Sequence, residues 1–164
     1  MAYARFGSKK GPRMIYATPP LPPFDREVMH CVAYAAKSYH VPRVLVLAVI
    51  KTESDGKRSA VSVNQNGTRD VGIMQINTIW HETLEMKYGI KNAAFHIKKD
   101  TCYNIRVGTW LLSSEIAAAQ KSGEGMWVGI GNYHSHSPRL NRQYQNLIAK
   151  NIKWLTQNTN WSIF

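Results

Sequence analysis

The chain has 164 residues, 44% of them hydrophobic, which is enough for one packed domain; no apolar run approaches the roughly 20 residues a membrane span requires. Twenty-one Lys and Arg against ten Asp and Glu give a formal charge of +11, which favours a polyanionic partner such as nucleic acid, an anionic membrane or an acidic wall polymer. The cations are dispersed, with neither a helix-turn-helix pattern nor clustered Arg and Lys interleaved with aromatics, and this argues against a nucleic-acid protein.

Residues 1–23, ending in "ATPPLPP", read as a basic, Pro-rich tail, and "MIYA" is too short to serve as the apolar stretch of a signal peptide. The folded body, 24–164, opens near Phe24. Asp25 suits a helix cap, and Val28, Cys31, Val32, Ala35 and Tyr39 then recur at three- and four-residue spacing, which turns Cys31 inward. Pro42 fits the first turn of a second helix. Its "VLVLAVI" is apolar on every side, so this helix is expected at the centre of the domain, ending near Glu53.

From 60 to 73 the texture changes to alternating Val, an Asn66-Gly67 turn signal and Gly72, which predicts a small hairpin. Thr78 is a candidate cap for the next helix. A longer helix is expected from about Asn104, carrying Ile105, Leu111, Leu112, Ile116 and Ala119 until Gly123 stops it. "WVGIGNY" is short and interrupted by Gly. Ser137-Pro138 then opens a last helix with Leu140, Tyr144, Leu147, Ile148, Ile152 and Leu155 on one side. The fold class is therefore α+β and mainly α, with no internal repeat and no second domain boundary.

Three stretches carry chemistry. In "VIKTESDG" Glu53 sits where the apolar helix meets a Gly-containing turn, so apolar walls on one side would disfavour the anion and raise its pKa. Such a carboxyl can give a proton to a leaving oxygen and later take one back. The plainer reading is an exposed helix end paired with Lys51 or Lys57. "VGIMQIN" sets Gln75 and Asn77 among Ile73, Met74 and Ile76, as a cleft floor or equally as an ordinary half-buried strand. "GNYHSHSP" gathers Asn132, Tyr133, His134, Ser135 and His136, or forms a polar helix end capped by Ser137. No third ligand accompanies the two histidines, so no metal is expected, and no cofactor either. Cys31 and Cys102 lack CxxC spacing and leave open one disulfide or two inert thiols.

Taken in order, the Glu-Ser after a buried helix, "GIMQIN", "CYNIRVGTWLL" and "NYHS" make residues from about Glu27 to Leu155 resemble the soluble lytic transglycosylase family, especially its small specialised members that accompany secretion and conjugation machines. The resemblance implies a lysozyme-like fold, with the predicted hairpin beside a glycan cleft. It implies Glu53 as the single acid/base, Gln75 and Asn77 along the cleft floor, Ser54 and Met74 among the residues that bind or orient substrate, and Tyr133 as the residue that holds or orients Glu53. It also implies that Cys31 and Cys102 pair, because the family packs their helices together. The substrate would be peptidoglycan glycan strands, cut by a monomer in the periplasm or another extracytoplasmic space beside secretion or conjugation components.

"ESDG" and "YHS" depart from the commoner Glu-Ser-Gly and Tyr-Asn-Ala, so subsite details are not carried over. A usual glycosidase needs a second carboxylate, for which Asp55 and Asp70 are the candidates. In the family the substrate's own N-acetyl group and C6 hydroxyl take that part, closing a 1,6-anhydro ring. A hydrolase using water and a noncatalytic glycan-binding module are the alternatives.

Overall fold

The computed structural model describes residues 22–159, so nearly all of the expected tail, and with it the question of a leader, lies outside the described residues. The architecture is mainly helical with a small antiparallel sheet, as the hydrophobic periods predict. Helix α1 (Arg26–Tyr39) starts where Asp25 accepts the Val28 N–H at 3.1 Å. It ends with His40 in the left-handed region. Helix α2 (Arg43–Glu53) follows Pro42, and its six consecutive residues Leu45–Ile50 are each no more than 2% exposed. A helix apolar all round has no solvent face and must sit inside a shell of other helices, here α1 on one side and α7 (Pro138–Asn158) on the other.

Helix α2 ends in a tight turn, Asp55 at φ +51° and Gly56 at φ +82°. A Cβ at Gly56 would stand 2.7 Å from the Phe24 ring, so this turn can close only around glycine. Strands β1 (Val61–Val63), β2 (Arg69–Val71) and β3 (Ile76–Asn77) form a sheet in the order β1-β2-β3. Val61 pairs with Val71, and Asp70 pairs with Asn77. The hairpin expected over 60–73 is thus joined by a third strand, too short to show alternation in the sequence.

Helix α3 (Ile79–Tyr88) is not capped by the Thr78 side chain. Asn77 Oδ1 accepts the Ile79 N–H instead, while Thr78 Oγ1 accepts the Arg69 N–H and ties the helix start to β2. A short α4 (Ala93–Lys99), not expected from the sequence, leads into α5 (Thr101–Lys121). Helix α5 begins three residues before the expected Asn104 because Asp100 caps it, accepting from the Tyr103 N–H at 2.9 Å.

Cys31 of α1 and Cys102 of α5 are joined in a disulfide with a Cα separation of 5.0 Å. Closing a loop of this length restricts the unfolded chain and is worth about 2–5 kcal/mol. Helix α6 (Met126–Asn132) lies against α5 so closely that a Cβ at Gly129 would be 2.7 Å from the Glu115 carbonyl oxygen. Gly129 therefore sets the distance between the two helices. Helix α7 begins with Pro138 in its first turn; Ser137 makes no side-chain cap, and its N–H donates to Ser135 Oγ.

Candidate active site

A cleft of about 430 Å³ opens between the sheet and the helices, with Glu53, Asp70, Gln75, Asn77 and Tyr133 on its lining. Glu53 reaches it as the last residue of α2. The carboxyl emerges from the most apolar element of the molecule, and burial pushes its pKa from the ordinary 4.5 to about 7. A hydrogen bond from Tyr144 works against the rise, and the charge of Asp70 adds to it. Glu53 pairs with neither Lys51 nor Lys57; Lys51 is taken by the exposed Asp55 at 2.8 Å.

Tyr144 is the partner of Glu53, donating its hydroxyl to Oε1 at 2.5 Å. It lies on the inward face of α7 with Ile148 and Leu155. Its ring is covered by the His134 imidazole, nearly parallel at 5.0 Å, and by Tyr133 at 6.4 Å. Tyr133, read from the sequence as the residue that orients Glu53, lines the cleft but donates its hydroxyl to the Met74 carbonyl at 2.8 Å. The difference follows from α7: its period turns Tyr144 straight onto the end of α2, while Tyr133, at the end of α6, meets the loop after β2. Burial, and then the nearby Glu53 charge, hold both phenols well above their ordinary range, so they act as hydrogen-bond donors.

The other candidates divide between cleft and support. The Met74 side chain is fully buried and packs 2.6 Å from where a Cβ at Gly108 would stand, so only its backbone serves the site. Ser54 likewise faces the core: its Oγ donates to the Ile73 carbonyl at 2.7 Å and pins the end of α2 to the loop. Neither side chain lines the cleft, so of the expected parts, binding or orienting substrate, these two are placed only to orient through the backbone they hold. Gln75 lines the cleft from the left-handed region, φ +49°, and its amide donates to the Ala60 and Gly72 carbonyls at 3.1 and 2.9 Å.

Asn77 donates to Asp70 Oδ1 at 2.7 Å, and Asn64 donates to Asp70 Oδ2 at 3.0 Å. Asp70 is thus clamped on the sheet side of the cleft across from Glu53, whereas Asp55 points away. Two supporting residues were not singled out in the sequence. Asn104, 1% exposed on α5, accepts the Met74 N–H at 2.9 Å and donates to the Val71 and Ile97 carbonyls, holding the loop that carries Gln75. A lone Asn among the inward residues of an apolar helix was the available signal. Tyr144 carried none, since it occupies an ordinary core position of α7.

His136 and Glu115 face each other at 3.4 Å on the rim. Among the described residues no group of three or more His, Cys, Asp or Glu could hold a metal ion. The arrangement instead offers one proton-exchanging carboxyl, poised near neutral pH in a polar groove, with an oriented phenol on one side and the hydrogen-bonded Asp70 carboxyl on the other.

Residues 30–154 match the family described as the transglycosylase SLT domain. Protein IpgF of Shigella flexneri is 32% identical over 115 residues, covering 69% of this chain and 70% of that protein. Invasion protein IagB of Salmonella typhimurium is 29% identical over 129 residues, covering 76% of each chain.

Proposed function

The chain belongs to the transglycosylase SLT family, whose members are lytic transglycosylases acting on peptidoglycan with a lysozyme-like fold, and on that premise we propose that it cuts the β-1,4 bond between N-acetylmuramic acid and N-acetylglucosamine to leave a 1,6-anhydro end, with Glu53 as acid and then base. The observation that carries this reading is the Glu53 carboxyl, buried at the end of α2, held by Tyr144 and poised at about 7.

In the first half Glu53 gives its proton to the glycosidic oxygen as the bond to C1 breaks, and the carbonyl of the substrate's N-acetyl group bears the charge left at C1. In the second half the Glu53 carboxylate takes the proton of the C6 hydroxyl while that oxygen bonds to C1. Glu53 ends protonated, ready for another turn, and no water is consumed. Tyr144 fits this sequence because a phenol donor stabilises the carboxylate formed between the two halves. Asn77 and Asp70 offer donors and acceptors to sugar hydroxyls along the opposite wall.

A second reading, hydrolysis, is favoured by Asp70 alone, a second carboxylate across the cleft that could serve an attacking water or a glycosyl cation. The Asn64, Asn77 and Thr68 network around Asp70 favours a structural part for it in the first reading. The peptidoglycan substrate and the Cys31–Cys102 disulfide support an extracytoplasmic, periplasmic place of action. The name of the Salmonella relative, an invasion protein, supports local wall opening for a secretion apparatus, and the sequence resemblance adds a conjugation apparatus as the alternative.

Mass analysis of purified wall digested by the protein tests the chemistry. Anhydromuramyl ends are expected; new reducing ends would establish the hydrolase, and undigested wall would leave a binding module.

A further inference from the structure

Helix α7 reaches Glu53 through Tyr144, and the end of α6 is packed onto α7 just where Tyr144 leaves it. A Cβ at Gly131 would collide with the Asn141 side chain, so the two helices touch directly there. Asn141, 6% exposed and three residues before Tyr144, donates to the Val128 carbonyl at 3.0 Å and to Asn132 Oδ1 at 2.7 Å. Beyond Asn132 the main chain stays fixed, because the His134 and Ser135 N–H groups both donate to the Gly131 carbonyl at 3.1 Å. His134 and Tyr144 are therefore locked relative to each other.

The imidazole of His134 lies offset on the Tyr144 ring, with 5° between the planes and 5.0 Å between the centroids. It is exposed and lines the cleft, whereas Tyr144 is 3% exposed and stands behind the lining. The His134 ring is thus the layer between the cleft and the phenol. His136, two residues on, turns instead to Glu115 on the rim. Position 134 is also where the chain departs from the commoner Tyr-Asn-Ala, and Asn has no ring to lay over a phenol.

Resting on the reading of Glu53 as acid and base, we propose that His134 is a positioning residue: its ring holds the Tyr144 hydroxyl on Glu53 Oε1 and keeps cleft water from competing for that bond. A hydrogen bond of 2.5 Å between hydroxyl and carboxyl depends on the tilt of the phenol, and a flat aromatic contact restricts that tilt. Reactive groups tolerate only about half an ångström of play. The other stacked ring, Tyr133, is farther away, at 6.4 Å and 25°, and its hydroxyl is committed to the Met74 carbonyl. The ring nitrogens of His134 take no part in this action. What the role requires is an aromatic plane at position 134.

Proton NMR of the intact protein reads the Tyr144 hydroxyl directly, as the protected downfield signal that Tyr144→Phe removes. His134 is exposed, so alanine there takes nothing from the core. His134→Ala should speed exchange of the hydroxyl proton with water and lower kcat on soluble peptidoglycan fragments, each by about three- to tenfold, the range an aromatic stack supports. KM should change by less than about twofold. His134→Phe restores the plane without the nitrogens and should return both readouts to within about twofold of the wild type. In a Tyr144→Phe background, His134→Ala should cost less than about twofold in kcat, because the bond it guards is already gone. A wild-type protein with no protected hydroxyl signal, an Ala variant that exchanges as the wild type does, a rise in KM with kcat unchanged, or a Phe variant no better than Ala would each overturn the proposal. Continued cutting by Glu53→Gln would instead overturn the role given to Glu53, and the hydroxyl exchange is read in the folded protein whatever the cleft cuts.

Discussion

With Glu115 out on the rim, the two walls of the cleft each place one carboxylate facing the other, Glu53 and Asp70, and surround them in opposite ways. On the helical wall, Glu53 leaves an apolar helix, accepts one hydrogen bond, and is pushed up to about 7 by burial. On the sheet wall, Asp70 accepts an amide from each side, Asn64 and Asn77, in a network that also includes Thr68. A carboxyl with few donors and a dry surrounding exchanges protons near neutral pH; one enclosed by donors is fixed in place and shapes a surface. The same residue class thus gives a proton carrier on one wall and a brace on the other, and the distinction is set by the elements that deliver them.

The largest effect should come from removing the proton carrier. Glu53→Gln keeps shape but not the transferable proton, so release of wall fragments should fall by about 10²–10⁴-fold. The fold should gain. The folded carboxyl titrates near 7 and the unfolded one near 4.5, so the contribution of its protonated form to wild-type stability is fully present below 4.5 and is lost as pH rises through 7. At pH 8 the Gln variant should therefore be more stable by about 2–3 kcal/mol, the lower figure allowing for solvent reaching the carboxyl from the cleft. Melting curves at pH 5 and pH 8 check this, with little difference expected at the lower pH.

Tyr144→Phe leaves the ring between His134 and the core but removes the hydroxyl from Glu53. Turnover should drop by about 10–100-fold. Because the lost bond favoured the carboxylate, the Glu53 titration should also move upward, which a pH profile of the residual activity reads.

Asp70→Asn sharpens the comparison from the other wall. Removing the charge that faces Glu53 should lower the Glu53 midpoint and shift the pH profile toward acid, while anhydro product is still formed. If Asp70 instead serves an attacking water, the same variant should lose nearly all turnover.

The smallest effect belongs to Tyr133→Phe, which breaks the bond to the Met74 carbonyl. A loss of about 1 kcal/mol in stability is expected, with turnover changed less than in the Tyr144 variant. Thermal melts and wall-fragment release measured on both Phe variants rank the two phenols.

The helices were legible because their signals are local. Asp25, the apolar run of α2 and Ser137-Pro138 each mark an element within a few residues. Strand β3 has two residues and α4 seven, too few for a period to emerge. The cleft was legible where a side chain conflicts with its surroundings, as Glu53 does at the end of α2. Asn104 offered the same kind of conflict. Tyr144 did not, because its selection depends on the packing of α7 against α2, which joins residues 91 positions apart and leaves no mark at short range. Met74 and Ser54 were implied by the family resemblance, yet Met74, in the turn after Gly72, is fully buried, and Ser54, at the end of α2, turns its hydroxyl to the Ile73 carbonyl.

The account rests on Glu53 being protonated where its neighbours in water would not be, and direct titration of its side-chain carboxyl by carbon-13 NMR tests that most directly. A midpoint near 7 in the wild-type protein, falling in Asp70→Asn and rising in Tyr144→Phe, is the predicted result. A midpoint near the ordinary 4.5 that neither substitution moves would contradict it.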